Sequence, residues 1–392
     1  MVLEYYLCRR FFLNSMNSAM QTEKFSVSKL GPMFLLLLLS SLTSVGLEVF
    51  HGDPQLSFVV GFITIICLAK FLGDATEVVG HRVGSGIGAV LNATFGNATE
   101  LILGIFAIQK GLFPLMKVSI VGGIFGNLML VGGLSVLCGG LVGHFAKVKG
   151  SRRDLEVHLS AAQMGPMVLW TGAVILLIPT AVEWFEPQSG LGTLATIVAA
   201  ISSLLAYGIF LAFSLLTHPE HFEETAAIDE VEEEEDPGYG WPTSVWIGIL
   251  GLIAAGVGLE SDFFVGVIEP AATAVGLREG FVAFVIVALA GGIAEHWSSV
   301  SAAINGKMAM AAGIVVGSSV QLVLFVLPVF ALYSLALGQA ASLAIDPVHA
   351  IPLLISYFLW AEVSRDGKFN WAEGAYLVII ALLTWGVMYF RG

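Results

Sequence analysis

Residues 91–102 read Leu91-Asn92-Ala93-Thr94-Phe95-Gly96-Asn97-Ala98-Thr99-Glu100-Leu101-Ile102, and residues 286–297 read Ile286-Val287-Ala288-Leu289-Ala290-Gly291-Gly292-Ile293-Ala294-Glu295-His296-Trp297. Each stretch sets a glycine four residues before a lone glutamate, and each is followed ten to eleven residues later by a small turn, Lys110-Gly111 or Asn305-Gly306. A glycine-rich apolar stretch comes next in both: Gly122-Gly123-Ile124-Phe125-Gly126-Asn127 in one, Gly317-Ser318-Ser319-Val320-Gln321 in the other. The offset is 195 residues from Glu100 to Glu295 and again from Gly122 to Gly317. A register kept through two apolar segments marks an internal repeat.

The surroundings of these stretches fix the solvent. Of 392 residues 57% are hydrophobic and 12% charged, about half the charged fraction of a soluble protein, and the mean hydropathy is +0.87. Covering ~30 Å of hydrocarbon takes roughly 20 mostly apolar residues. Runs of that order lie at 33–50, 56–72, 87–110, 117–143, 158–181, 191–216, 242–260, 279–304, 309–333, 340–363 and 371–390, eleven in all. Lys24 and Lys29 precede the first run as in a signal peptide, but no small-residue cleavage site follows, so it reads as a retained helix.

Charge orders the loops. With the N-terminus cytoplasmic, thirteen of the 17 Lys and Arg fall on that side and four (Lys110, Lys117, Arg278, Arg391) on the other, the bias expected of a cytoplasmic face. The C-terminus is then outside. Of the 30 acids, ten lie between Glu220 and Asp236, a dense like-charged run that reads as a solvated linker after the sixth span. No basic patch argues for nucleic acid. Cys8, Cys67 and Cys138 lack the spacing of a disulfide framework or zinc site.

Five spans on each side of the linker form the repeats, leaving the first as an addition. The division expected is 1–52 for the tail and extra helix, 53–217 for the first five-helix repeat, 218–240 for the linker and 241–392 for the second repeat. An odd span count per copy inverts the second copy in the membrane, and inverted repeats build secondary transporters with the ion site at their interface. The expected fold is therefore an all-α integral membrane protein of about eleven helices.

Glu100 and Glu295 are the acids best placed within long spans, whereas Glu48, Glu260 and Glu362 read as lying near span ends. Intramembrane acids are expensive and face a cavity or a partner. Gly96 and Asn97 precede Glu100 on its own face, and Gly291 and Gly292 stand behind Glu295 with Ser298 and Ser299 ahead. Glycines permit local unwinding that frees carbonyl oxygens. Two carboxylates with amides and carbonyls make an oxygen cage for a hard divalent cation such as Ca²⁺, without the thiolates and imidazoles that softer metals favour. Asn97, Asn127, Ser298 and Gln321 read equally as interhelical hydrogen-bonding groups. His296 reads as a ligand or proton shuttle, or as a hydrogen-bonded neighbour, the commoner role of a lone membrane histidine.

The segment 91–102 and Ala294-Glu295-His296 resemble the two alpha-repeats of the Ca²⁺/cation antiporter superfamily, in its Ca²⁺/H⁺ exchanger (CAX) branch. The resemblance runs from about residue 60 to the C-terminus and includes Thr76-Glu77, the run ending at Gln321 and the acidic linker. It implies eleven helices and Ca²⁺ export against H⁺, with Glu100 and Glu295 as alternately protonated ligands. Asn127, Gln321, Ser298, Ser299, His296 and Glu77 are expected as secondary polar lining of the site, and no cofactor is expected. The chain departs from that branch at Gly292, where its members usually carry asparagine. A Na⁺-driven exchanger of the same fold and a passive channel are the alternatives. A primary pump lacks its nucleotide loop here, and the motifs of intramembrane proteases are absent, so no enzyme activity is expected. A prokaryotic cytoplasmic membrane is the default location, and the lipid bilayer the default partner, with room for a homo-oligomer.

Overall fold

A computed structural model describes residues 31–83, 96–145, 155–156, 159–217 and 241–391. The first half of the leading motif, Leu91 to Phe95, and the acidic linker 218–240 lie outside the described residues. The chain forms helices α1 (Gly31–Val49), α2 (Pro54–Val83), α3 (Ala98–Gln109), α4 (Phe113–Phe125, continuing through a π-helical turn Gly126–Val131 to Gly132–Phe145), α5 (Leu159–Phe185) and α6 (Gly192–Ala212, closing in the π-helical Phe213–Thr217). The rest are α7 (Thr243–Ala274), α8 (Glu279–Gly291), α9 (Ile293–Ile304), α10 (Met308–Gln321, a π-helical Leu322–Val326, then Leu327–Ala336), α11 (Pro347–Val363) and α12 (Trp371–Arg391).

Eight of these are long and apolar enough to cross a membrane alone. The pair α8 and α9 is apolar enough only when taken together and is bent by 65° at its break, the geometry of a broken span or a re-entrant loop. The helices α3 and α11 are apolar but shorter, at 12 and 17 residues. Every apolar run of the sequence therefore contains a helix. The chain is an all-α integral membrane protein. Hydropathy marked less than the full helix in two places, since α2 runs on to Val83 and α7 to Ala274. Glu260, read as lying near a span end, is consequently the eighteenth of 32 residues in α7 and only 4% exposed. Its carboxylate accepts a hydrogen bond from the Ser44 hydroxyl of α1 at 2.7 Å.

The repeat is visible in the elements. Shifted by 195 residues, Ala98–Gln109 becomes Ile293–Ile304, the α4 start Phe113 becomes Met308, and the end of one π-helical turn, Val131, becomes the end of the other, Val326. The turns correspond too. Gly111 and Gly306 have φ of +79° and +80°, a left-handed conformation that glycine adopts without a steric penalty. At each, the glycine N–H and the next N–H bond back to the helix, Gly111 to Ile108 and Leu112 to Ala107, Gly306 to Ala303 and Lys307 to Ala302, all at 2.9–3.0 Å. These are the paired bonds that close a helix and reverse the chain.

Packing puts the repeat helices α4 and α10 at the centre. The apolar window of α4 is 83% buried, against 11% for α1. At the contact of α4 with α8, a Cβ on Gly122 would lie 2.0 Å from the Phe284 carbonyl oxygen, so only glycine allows this crossing. Outer helices turn Leu42, Leu205, Ile209, Leu252 and Phe390 outward, as a lipid-facing surface requires. Contacts near the helix ends join segments that the charge bias assigns to the same side. Arg82 bonds the Trp241 carbonyl, Lys117 bonds the Ser342 and Ala344 carbonyls, and Arg278 bonds the Arg391 carbonyl. The strands β1 (Leu155–Glu156) and β2 (Lys368–Phe369) pair antiparallel between two loops that the charge bias assigns to the same side as Arg82 and Trp241.

Candidate functional site

Glu100 is the third residue of α3 and Glu295 the third residue of α9. Both carboxylates thus belong to a first helical turn, where unsatisfied N–H groups and the macrodipole favour negative charge by about 0.3–1 kcal/mol each, up to ~2 when partly buried. Twelve residues at 1.5 Å give each helix a length of only ~18 Å, so neither crosses the bilayer unaided. The breaks responsible are Gly96-Asn97, a turn, and Gly292, which caps α9 with φ −85° and ψ 9°.

The two halves meet at Gly291. A Cβ there would lie 2.7 Å from Glu100 Cγ and 2.9 Å from its Oε1, so the side chain of Glu100 rests directly on the backbone at the end of α8. Glu100 is 8% exposed, and Glu295 lies close enough for the two charges to interact. One oxygen of each acid, Oε2, is buried without a hydrogen-bond partner among the described residues. A small cavity beside Glu100 is lined by that residue, Ser119, Gly123, Asn127, Gly291 and Gly292 together with apolar neighbours.

Five further side chains are joined by four hydrogen bonds beside the acids. His296 Nε2 meets Asn127 Oδ1 at 2.9 Å, Asn127 Nδ2 donates to Ser318 Oγ at 3.1 Å, Ser318 Oγ donates to Asn97 Oδ1 at 3.2 Å, and Asn97 Nδ2 donates to Gln321 Oε1. Asn97 occupies the capping position of α3, yet its side chain makes no cap bond and is spent on this chain.

The structure therefore assembles Glu100, Glu295, Asn97, Asn127, Gln321, His296, Gly291 and Gly292, with Gly96 at the entrance of α3. Its hydrogen bond to Asn127 agrees with the reading of His296 as a bonded neighbour. Ser299 is fully buried but turned to α4 and α10, bonding Ser135 Oγ at 2.9 Å and the Ala311 carbonyl at 3.1 Å. Ser298 and Glu77 are exposed and absent from the cavity lining. Ser318 and Ser119 joined the site without having been singled out. Ser318 carried a signal, standing three residues before Gln321 and so on the same helical face.

The chain matches the sodium/calcium exchanger protein family over residues 55–216 and 245–390. It belongs to that family. Among relatives of this exchanger, the Ca(2+)/H(+) antiporter of Aphanothece halophytica is 34% identical over 352 residues, 87% of this chain and 91% of the relative. The Ca(2+)/H(+) antiporter of Synechocystis sp. is 31% identical over 372 residues, 91% and 95% of the two chains. The solved structure of native YfkE superposes with a TM-score of 0.76 at 28% identity, covering 91% of this exchanger and 99% of that chain.

Proposed function

We propose that this exchanger exports Ca²⁺ from the cytoplasm in exchange for H⁺, binding both ions in alternation at Glu100 and Glu295. The observation that carries this reading is the pair of buried carboxylate oxygens, without hydrogen-bond partners among the described residues, in the first turns of two short helices, Glu100 lining a small cavity. A charge at the centre of a membrane helix costs about 3 kcal/mol on insertion scales, and a helix N-terminus offsets ~1–2 kcal/mol of it. The remainder has to be offset by a cation or removed by a proton. That alternative is the exchange. Asn97, Asn127 and Gln321 supply amide oxygens, and the break at Gly291-Gly292 brings backbone close, so an oxygen-seeking ion such as Ca²⁺ fits the donor set. The curated relatives named Ca(2+)/H(+) antiporters support the choice of ions.

The site lies near the membrane midplane between two inverted five-helix units, 53–217 and 241–392. The two matched ranges of the family, the 195-residue register of the elements and the shortness of α3 and α9 support this arrangement. Rocking of one unit against the other opens the site to each side in turn. The N-terminus and the linker are cytoplasmic, the C-terminus is outside, and the host is the cytoplasmic membrane. The protein is a transporter rather than an enzyme and needs no cofactor. The test is Ca²⁺ uptake into everted membrane vesicles with and without an imposed proton gradient. Uptake should rise with the gradient and collapse with a protonophore; uptake that ignores the gradient and follows Na⁺ would assign the chain to sodium-driven exchange.

A further inference from the structure

The cavity beside Glu100 extends to one side of the proposed site and not the other. On α4 it is lined by Met116, Ser119, Ile120, Gly123 and Asn127. These share one face of the helix and cover about 16 Å along its axis at 1.5 Å per residue. Since α4 starts just after the Lys110-Gly111 turn, the cavity runs from Asn127 toward that turn, the side that the charge bias makes outer. The other helices agree. Leu103 lies on the same side of Glu100 in α3, and Val287 and Ala288 of α8 precede Gly291, on the side where α8 begins. Helix α9, which leads from Glu295 to the opposite face, takes no part in the lining.

Apart from Glu100 and Asn127, the side chains on this lining are apolar or are the bare backbone of glycine, with Ser119 as the exception. Ser119 is 5% exposed. A serine buried in a helix commonly returns its proton to a carbonyl one turn back, as Ser319 does to Val315 at 2.8 Å. The Ser119 hydroxyl has no hydrogen-bond partner among the described residues, a costly condition for a buried polar group. Its repeat partner, 195 residues on, is Ile314. The hydroxyl is therefore peculiar to one of the two routes that an inverted repeat relates.

We propose that this cavity is the outward arm of the ion path and that Ser119 Oγ coordinates Ca²⁺ in passage between Glu100 and the outer face. A hard cation leaving two carboxylates enters an otherwise apolar throat, where one protein oxygen replaces part of its hydration shell. With isoleucine at the corresponding position of the second repeat, the contribution belongs to the outward-open form alone, so it changes Ca²⁺ affinity on one side of the membrane only. The inference rests on the reading of Glu100 and Glu295 as the cation site.

The test compares the two faces at matched amounts of extractable, monodisperse protein. Half-saturating Ca²⁺ is measured at the outer face by reverse exchange into right-side-out vesicles, and at the cytoplasmic face by uptake into everted ones. Ser119→Ala should raise the outer value about fivefold, within the range for one lost polar contact, and leave the cytoplasmic value within about twofold of wild type. Ser119→Thr, which keeps the hydroxyl, should stay near wild type on both faces. No change at the outer face, or an equal change at both, would overturn the proposal. A second measurement is independent of these kinetics. In a chain whose three native cysteines are replaced by alanine, Ser119→Cys should react during exchange with a membrane-impermeant cationic thiol reagent, more slowly when Ca²⁺ is present. It should do so from the same side as Gln188→Cys, a marker in the exposed turn between α5 and α6. Reaction from the opposite side, or from neither, would overturn the proposal. Failure of the underlying site reading shows separately, as retained Ca²⁺ transport in Glu100→Gln.

Discussion

The side chain of Glu100 lies on the bare backbone of Gly291, near enough that a methyl group at 291 would overlap its Cγ, Cδ and Oε1. This contact joins the first half of the chain to the second at the proposed ion site. Gly291→Ala is therefore expected to push the carboxylate out of the cavity. Glutamate is flexible, so the protein should still fold, with Ca²⁺ uptake in vesicles lowered at least tenfold, equivalent to about 1.4 kcal/mol. Wild-type uptake by that variant would show that the close packing has no bearing on transport.

Gly122 makes a different kind of contact. Its Cβ would strike the Phe284 carbonyl oxygen, a backbone atom in a buried crossing that no rotamer change relieves. Gly122→Ala should destabilise the bundle by about 1–3 kcal/mol or more, visible as a lower melting temperature in detergent and a smaller yield of monodisperse protein. The control is Gly317→Ala, the repeat partner, where no atom lies within 4 Å of the added methyl group.

Glu260 illustrates where the sequence was silent. The apolar run ends there because Glu260, Asp262 and Glu269 lower the hydropathy, but the backbone continues helical to Ala274 and buries the acid against α1. Hydropathy reports lipid exposure and not where a helix stops. By contrast, both glutamates, both halves of the repeat and the chain's helical runs were legible, because a 195-residue register needs no tertiary information. The cavity beside Glu100 was not. It depends on how four helices pack, and nothing in residue spacing reveals a void. For the same reason Ser298 and Ser299, adjacent in sequence, end up exposed and fully buried respectively.

From the Ser44–Glu260 bond a further result is expected. Ser44→Ala leaves the Glu260 carboxylate without its donor from α1, at a cost of about 1–3 kcal/mol. Thermal unfolding in detergent should register the loss, while Ca²⁺ uptake by the folded fraction stays close to wild type because the residue lies outside the ion site.

Deleting residues 229–236 should leave exchange intact, since the acidic run falls between the ranges that match the family, 55–216 and 245–390. A change in apparent Ca²⁺ affinity is compatible with this, because the run concentrates negative charge on one side. Complete loss of uptake in a well-folded deletion would assign the linker a part in the transport step.

The central claim is that Ca²⁺ and protons compete for the same two carboxylates, and calorimetric titration of Ca²⁺ into the purified exchanger tests it most directly. Ca²⁺ requires Glu100 and Glu295 ionised, so binding must release any protons they carry. By linkage, apparent affinity must then fall as pH falls. Measured from about pH 6 to pH 8 in buffers of differing ionisation enthalpy, the account expects proton release on binding, affinity that weakens toward acid pH, and loss of both effects in Glu100→Gln and Glu295→Gln. Affinity that is flat across this range with no protons released, or near wild-type binding and exchange by either glutamine variant, would contradict it.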